Sequence, residues 1–376
     1  MCHDGSRGEG SMKNLVLLLM TMAVLLIGCG ENPTAPVDEP LGNTKVGSPA
    51  QSLTEFENVL ERVRTELKIP GFSAAITKHR RIVWAKGFGY ANREKGARAI
   101  PQTVYHLASL TKPFAAVLVL QLVEQGKVNL DDPISNYGVN VSSQGIIRVR
   151  HLLSHTSEGI PGSYYQYNGD RFSKLDSVIS RASGKMFGAL LKEVILVPLQ
   201  MDLTAPNPLS PLAGWRNDQV LERWAQGYTS NGQNPQPYPT YFGTAAGLLS
   251  TVIDMSKFSI ALDNDLLLRP ETKKLMFAPT VSMSGVELPY GLGWFVDNNE
   301  SVTIIWHYGY WDAASTLIMK IPERELCFVI MANSDRLSSA SYGIGTDEDV
   351  NRSVIAQEFL NAFVYGKAEL PDQAIY

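Results

Sequence analysis

The chain has 376 residues, of which 44% are hydrophobic and 19% are charged, and its formal net charge is −4. This composition is typical of a soluble globular protein and excludes an intrinsically disordered chain. The balance of charges gives no reason to expect nucleic acid as a partner. Three cysteines, Cys2, Cys29 and Cys327, are too few for a disulfide framework, and the apolar run around Cys327 predicts that its thiol is buried.

The first feature along the chain is a predicted export signal. Met12-Lys13 precedes an almost wholly apolar run over residues 15–27, and a positive start before a short apolar core is typical of a secretory signal. The run ends in Leu26-Ile27-Gly28-Cys29, which resembles the lipobox of bacterial lipoproteins, so we expect cleavage before Cys29 and its lipidation. Met12 would then be the natural start. A plain signal peptide with a coincidental cysteine is the alternative.

These signals divide the chain into four predicted parts. Residues 1–28 form the signal peptide, and residues 29–51, rich in Pro, Gly, Asn and Thr, form a flexible tether. Residues 52–366 form the folded domain, and residues 367–376 form a C-terminal tail. We expect an exported monomer that is lipid-anchored at Cys29. By resemblance to Gram-negative lipoproteins, Gly30 favours the periplasmic side of the outer membrane.

The pattern of apolar residues predicts the elements of the folded domain. In chain order they are a helix over Ser52–Leu67, a hairpin of Phe72–Thr77 and Ile82–Tyr90, a long apolar helix over Ser109–Gln125, a middle of short helices and loops that includes Ser250–Leu262, strands over Val302–Trp306, Ser315–Ile321 and Leu326–Met331, and a closing helix over Val350–Val364. This order predicts an α/β fold of the α+β type, in which an antiparallel sheet from both chain ends packs beside an inserted, mostly helical region. A catalytic cleft would lie where the two regions meet.

Ser109-Leu110-Thr111-Lys112 is the first candidate catalytic motif. Residues three apart share one face of a helix, so Lys112 is expected one turn from Ser109 and close enough to take its proton. A serine hydroxyl becomes a strong nucleophile only when a nearby base activates it, and a lysine can do so when burial lowers its pKa. The alternative is a helix cap followed by a surface lysine. The apolar run Phe114–Leu120 argues against it, because this run predicts a buried helix.

Seven short stretches carry a resemblance that extends over roughly residues 53–366. They are His106–Lys112, Gly126–Pro133, His151–Ser157, Pro198–Met201, Ala245–Leu248, Tyr290–Trp294 and His307–Gly309. In these residues and their order, the chain resembles the serine beta-lactamase-like and DD-peptidase-like hydrolases, especially the branch of class C beta-lactamases, D-aminopeptidases and esterases. The resemblance implies a beta-lactamase/transpeptidase-like fold and hydrolysis through an acylated serine, with no cofactor.

The resemblance also implies roles for individual residues. Ser109 would be the nucleophile, and Lys112 would share the duty of base with Tyr167, whose phenolate or hydroxyl would relay a proton to the leaving group. The backbone N–H groups of Ser109 and Tyr310 would form the oxyanion hole. The predicted substrate contacts are His307, Gly309, Trp311 and Gly169. The aromatic stretch that holds Tyr238, Tyr241 and Phe242 is also expected to border the cleft.

Two positions depart from the usual motifs of this family. Gly169 stands where a Tyr-x-Asn motif has its asparagine, which removes an amide that would hold an acylamino substrate. His307 stands where a Lys-Thr-Gly motif has its lysine, so a fixed positive charge is replaced by a group expected to titrate near neutrality. Both changes argue against efficient beta-lactam hydrolysis and leave ester, amide or D-peptide hydrolysis open. Tyr164 and Tyr165 remain alternatives to Tyr167 as the motif tyrosine.

The sequence leaves two other functions open. A true beta-lactamase or DD-carboxypeptidase is one alternative, and a catalytically idle lipoprotein that binds or senses the cell wall is another. The intact set of Ser109, Lys112 and Tyr167 argues against idleness. His151 and His155 have a spacing that could ligate zinc, but no third ligand is visible, so we interpret them as structural and expect no metal. The expected partners are a small-molecule or peptidoglycan-like substrate and, through the lipid, a membrane.

The lipobox makes a prediction for Cys29. In the Cys29→Ser protein, the thiol that would carry the lipid is absent, so we expect this variant in the soluble fraction of a Gram-negative host and the wild-type protein with the membranes. Immunoblots of the fractions measure the distribution. The Cys2→Ser variant is the control and should sediment like the wild type. Membrane partition of the Cys29→Ser protein would exclude the anchor.

Overall fold

The protein is described by a computed structural model, which covers residues 50–229, 234–298, 301–338, 348–371 and 373–375. The predicted signal peptide, the lipidation site Cys29 and nearly all of the tether lie outside the described residues. Within these ranges, no helix combines the length and the apolar character needed to cross a bilayer.

Helices flank the long strands and fill the middle of the chain. They are α1 (Leu53–Glu66), α2 (Lys112–Glu124), α3 (Val149–Leu153), α4 (Gly169–Phe172), α5 (Leu175–Ser183), α6 (Phe187–Leu191), α7 (Asn217–Glu222), α8 (Val252–Asp263), α9 (Pro270–Met276) and α10 (Val354–Phe363). Single turns of 3-10 helix over Ala108–Thr111 and Val350–Arg352 precede α2 and α10.

The strands group into one large sheet and two short pairs. They are β1 (Gly71–Lys78), β2 (Arg81–Asn92), β3 (Ala97–Arg98), β4 (Tyr105–His106), β5 (Gly227–Tyr228), β6 (Pro235–Gln236), β7 (Leu249–Ser250), β8 (Phe295–Asn298), β9 (Thr303–Trp311), β10 (Ala314–Ile321) and β11 (Leu326–Ala332). The large sheet has the order β3-β2-β1-β11-β10-β9-β8, and its neighbouring strands are antiparallel. The pairing of β1 with β11 confirms the predicted sheet from both chain ends.

Several predicted elements are confirmed, and two of the predicted helices differ from the observed ones. Helix α1 begins after Ser52, whose hydroxyl accepts the N–H of Glu55, as a helix cap does. The helix predicted from Ser109 instead begins as 3-10 helix and becomes α-helical at Lys112. The closing helix is interrupted at Ser353, because this residue caps α10 with its own hydroxyl.

Strand β9 is longer than the sequence predicted. The apolar run suggested an end at Trp306, but the strand continues through Trp311, so His307 and Tyr310 lie within it. The continuation is paired with β10, in which Ser315 faces Tyr310. Pairing with β10 therefore extends β9 beyond the apolar run from which the strand was predicted.

Apolar cores cover both faces of the large sheet. On one face, strand residues such as Cys327 and Val329 pack with α2, α5 and α8. On the other face, Phe328 and Ile330 pack with α1 and α10. Neighbouring residues of β11 thus enter opposite cores, which explains why its run is apolar without alternation. The buried thiol of Cys327 confirms the prediction made for it.

Helix α2 is enclosed by the first of these cores. Every residue from Pro113 to Leu120 is buried, so the helix has no polar face. The Phe114 ring stacks on Phe258 of α8, with ring centroids 4.0 Å apart. The N-terminus of α2, which carries Lys112, is therefore held rigidly inside the molecule.

Phe56 is expected to anchor α1 and α10 to the sheet. Its side chain is fully buried, and its ring contacts those of Trp84, Phe328 and Phe363. In Phe56→Ala, the lost burial and the cavity should lower the free energy of unfolding by about 3–5 kcal/mol, measured by urea denaturation. Thr54→Ala, on the exposed side of the same helix, should change it by less than about 0.5 kcal/mol. Equal effects of the two substitutions would contradict this role.

Candidate active site

A tight turn between β4 and α2 presents Ser109, which is partly exposed. Ala108, the residue before it, has φ of +48°, a left-handed conformation that residues other than glycine seldom adopt. The N–H of Ala108 donates to His106 Nδ1 over 3.1 Å, and its carbonyl accepts from Thr111 Oγ1 over 2.7 Å. The turn is therefore held by its surroundings against its local preference.

Lys112 lies within hydrogen-bonding distance of the Ser109 hydroxyl. Its Nζ is 3.0 Å from Ser109 Oγ, and it donates to the carbonyl of Ala245 over 2.9 Å. The lysine is fully buried, and burial lowers its pKa from the usual 10.5 to about 7. A carbonyl can only accept, so a neutral Lys112 keeps its lone pair for the proton of Ser109. The geometry thus suits a base.

Tyr167 lies against the same lysine. Its ring centroid is 4.7 Å from Lys112 Nζ, and its hydroxyl is buried. Burial, and then the neighbouring Tyr308, raise the pKa of Tyr167 well above 10, although an interaction with the Ser109 hydroxyl opposes this. Tyr167 is therefore a phenol at neutral pH and can donate a proton, whereas the phenolate that the sequence left open is disfavoured.

The neighbouring tyrosines are placed differently. The side chain of Tyr164 is exposed, and it lies close to Gly159. The ring of Tyr165 packs against Tyr290, with centroids 5.8 Å apart. Of the three tyrosines, Tyr167 is the one whose ring the structure places over Lys112.

His155 positions Tyr167. The two rings stack with centroids 4.2 Å apart, and His155 Nδ1 accepts the N–H of Asn168 over 3.1 Å. His155 lies beyond the end of α3 and has φ of +54°, so it does not share a helix face with His151. His151 Nδ1 accepts the N–H of Arg148 over 3.1 Å. Each histidine thus uses a ring nitrogen to hold the backbone.

Strand β9 runs close to the turn that holds Ser109. A Cβ atom at Gly309 would lie 2.0 Å from the Leu107 carbonyl oxygen, which also accepts from Thr316 Oγ1 over 3.0 Å. Gly309 is therefore a spacing residue that lets the two backbones approach. Strand β8 pairs only with residues 303–306, so in the described part of the sheet β9 becomes an edge before Tyr310. Edge strands leave backbone N–H groups free for a ligand.

The His307 ring is buried and neutral, in contrast to the expectation from the sequence. Its side chain is fully buried, its Nδ1 is 2.6 Å from the Tyr308 carbonyl, and its Nε2 is 2.8 Å from Tyr290 Oη. A carbonyl only accepts, so Nδ1 carries the proton and Nε2 accepts from Tyr290. Burial, and then the charge of Lys112, hold the pKa of His307 well below 6.5. The expectation that His307 titrates near neutrality is wrong.

The remaining predicted contacts lie on two sides of the site. Gly169 is the first residue of α4, and a Cβ there would have no atom within 4 Å. The preceding Asn168 caps that helix, since its Oδ1 accepts the N–H of Arg171 over 2.9 Å. Trp311 ends β9 and contacts the ring of Tyr241. Trp311 and three neighbours form what we call the aromatic wall: Tyr238, Tyr241, Phe242 and Trp311.

Two members of the site had no role assigned from the sequence. The carbonyl of Ala245 holds Lys112, and the ring of His106 holds Ala108. Both lie in stretches that carried the family resemblance. A carbonyl's direction depends on the backbone fold, which side-chain patterns do not report.

A family model and several known proteins match this chain. The family model described as Beta-lactamase matches residues 56–349. The chain is 24% identical to Protein flp of Staphylococcus aureus in an alignment of 326 positions, and this alignment covers 75% of this chain and 63% of that protein. It is 29% identical to PbpX of Bacillus subtilis, a penicillin-binding protein candidate, in an alignment of 270 positions, and this alignment covers 63% of this chain and 65% of that protein. The chain thus spans less than two thirds of the length of these relatives.

A solved structure shares the fold. The octameric penicillin-binding protein homologue from Pyrococcus abyssi superposes with a TM-score of 0.68 at 24% sequence identity. The superposition covers 75% of this chain and 74% of that chain. The beta-lactamase/transpeptidase-like fold expected from the sequence is confirmed.

The lowered pKa of Lys112 makes a prediction about pH. Since the amine is the base and the ammonium is not, acylation of Ser109 by a neutral fluorophosphonate should become faster as pH rises through about 7. Acylation rates from about pH 5 to about pH 9 measure this dependence. Lys112→Arg keeps its charge throughout and should react slowly at every pH. Full reactivity with no change near pH 7 would exclude Lys112 as the base.

Proposed function

This chain belongs to the beta-lactamase family, and from that premise we propose that it hydrolyses esters or amides, D-peptides included, through an acyl-enzyme at Ser109. The observation that carries the proposal is the 3.0 Å contact between Ser109 Oγ and Lys112 Nζ. A buried lysine that only supports the fold is expected to be paired with a carboxylate. Lys112 instead contacts a hydroxyl and a carbonyl, and burial leaves it a base near neutral pH.

The proposed reaction uses groups of four residues. Lys112 takes the proton of Ser109 as the serine oxygen attacks the substrate carbonyl carbon, and the backbone N–H groups of Ser109 and Tyr310 stabilise the oxyanion. The bond to the leaving group breaks as Tyr167 donates its proton to that group, and the proton on Lys112 then restores the phenol. In deacylation, water passes a proton to Tyr167 as Tyr167 passes its own proton to Lys112, and the water oxygen attacks the acyl carbon. The bond between the acyl carbon and the Ser109 oxygen then breaks as Lys112 returns the proton to that oxygen, which releases the acid. The net change is addition of water across the ester or amide bond.

The pKa shifts support this division of roles. Burial lowers the pKa of Lys112 and raises the pKa of Tyr167, so at neutral pH one is an available base and the other an available acid. Groups whose pKa values are pushed apart in one pocket are typical of an acid and base pair. The sequence suggested that Lys112 and Tyr167 share the role of base. The two pKa shifts favour Lys112 as the base and Tyr167 as the acid.

The state of His307 supports substrates without a carboxylate at that position. Its ring is neutral, and both of its nitrogens already have partners in Tyr290 and the Tyr308 carbonyl. A buried neutral histidine offers no fixed charge to bind a carboxylate. We therefore place simple esters and amides ahead of beta-lactams and of peptides that end in a free D-amino acid.

We also propose that this hydrolase is exported and held to a membrane by a lipid on Cys29, on the periplasmic side of the outer membrane. The proposal rests on the charged start, the apolar run and the lipobox over residues 12–29. A lipid anchor would keep the folded domain near the cell envelope without a membrane-spanning helix.

Hydrolysis of short-chain p-nitrophenyl esters tests the proposed function. We expect turnover by the purified wild-type protein and a loss of at least about 1,000-fold in Ser109→Ala, because no other group replaces the attacking oxygen. Ser210→Ala, an exposed serine outside the site, should retain full activity. Release of p-nitrophenol and the mass of the acylated protein are the measurements.

Two outcomes would contradict the proposal. No ester turnover together with no acylation by a fluorophosphonate would favour a binding protein. Faster turnover of a chromogenic beta-lactam than of the esters would reverse the proposed order of substrates.

A further inference from the structure

His106 is a buried histidine that the proposed reaction does not use. It lies three residues before Ser109 and ends strand β4. Its Nδ1 accepts the backbone N–H of Ala108 over 3.1 Å. A backbone N–H can only donate, so Nδ1 carries no proton and the ring is the neutral Nε2–H tautomer. Burial lowers the pKa of His106 to about 4, so this acceptor persists at neutral pH.

We propose that His106 is a positioning residue, which holds Ala108 in its left-handed conformation and thereby sets the direction of the Ser109 hydroxyl toward Lys112. The proposal rests on the proposed function, since the orientation of Ser109 matters only if it attacks a substrate. Ala108 has φ of +48° and a Cβ, so the turn needs an interaction that favours it over the ordinary conformations of alanine.

The hydrogen bond has the form of an Asx turn. In that turn, the side-chain oxygen of an Asn or Asp accepts the N–H two residues later and stabilises a tight bend. His106 Nδ1 is attached through the same number of bonds as an asparagine Oδ1, and it accepts from the residue two positions later. The imidazole therefore accepts the same hydrogen bond as an Asx side chain would, in the turn that precedes the nucleophile.

The aromatic wall fixes the direction of this acceptor. Tyr238 stacks on the His106 ring with centroids 5.6 Å apart, and Trp311 meets it edge to face at 6.2 Å. Phe242 contacts it at 6.2 Å from a third direction. A ring enclosed by three others has little freedom to rotate Nδ1 away from Ala108.

The second ring nitrogen shows what the histidine contributes. His106 Nε2 is buried and has no hydrogen-bond partner among the described residues. A phenylalanine ring would fill the same aromatic surroundings without a buried, unpartnered N–H group. The acceptor at Nδ1 is thus the property of His106 that a purely apolar ring would lack.

Two substitutions of equal size separate this role from simple packing. His106→Asn keeps an acceptor at the same covalent position, whereas His106→Leu has nearly the same shape without it, and both lose the ring. We expect His106→Leu to lower kcat for a p-nitrophenyl ester about tenfold with little change in KM. We expect His106→Asn to retain most of the wild-type kcat. Fluorophosphonate acylation rates should fall in the same order.

A second substitution tests the link to Ala108. Glycine adopts the left-handed conformation without help, so Ala108→Gly in the His106→Leu protein should restore most of the lost kcat. If His106→Leu does not fold, as thermal unfolding would show, His106→Gln replaces it in the comparison. The Gln amide is one carbon longer, so it cannot close the same turn and should behave like Leu.

The outcomes distinguish this inference from the proposed function. Equal kcat in the Leu and Asn variants, or no recovery with Ala108→Gly, would overturn the role of His106 while the esterase activity of the wild type still stands. A wild-type protein that neither turns over the ester nor is acylated would overturn both.

Discussion

The site depends on a lysine side chain that has been removed from water. Burial of an ammonium group without an opposite charge is costly, and the protein lowers this cost by letting Lys112 lose its proton near neutral pH. It is the removal from water that favours the amine, because the groups nearest to Nζ, the rings of Tyr167 and Phe172 at 4.7 and 5.4 Å and the Ala245 carbonyl that accepts one N–H, carry no negative charge. The enclosed helix α2, which has no polar face, makes this burial possible.

Burial favours the uncharged form of three groups in the site. It favours the neutral amine of Lys112, the neutral phenol of Tyr167 and the neutral ring of His307. Charge then develops chiefly when the serine oxygen attacks, in a place where fixed backbone dipoles can stabilise it. The neutral ring of His307 also agrees with the neutral ester and amide substrates that we propose.

Apolar patterns in the sequence were sufficient to predict the sheet from both chain ends, because apolar side chains indicate which faces of a strand are buried. The approach of Lys112 to Ser109 could also be predicted, although the helix type was wrong, since residues three apart are neighbours in 3-10 helix as well. The neutral state of His307 could not be predicted, because it depends first on burial of the ring and then on the charge of Lys112, which is distant in the sequence. Nor could the turn at Ala108, whose conformation opposes the preference of alanine and is imposed by its neighbours.

The central pairing of β1 with β11 has a consequence for how the chain must fold. Phe72 lies opposite Ala332, so the sheet cannot close until nearly the whole domain has been synthesised. Until then, the β1–β2 hairpin exposes an apolar edge that other chains could join. Contacts between such distant segments also slow folding, because a long loop must be ordered before they form. Protection of that unpaired edge in the nascent chain is therefore expected to raise the yield of active protein.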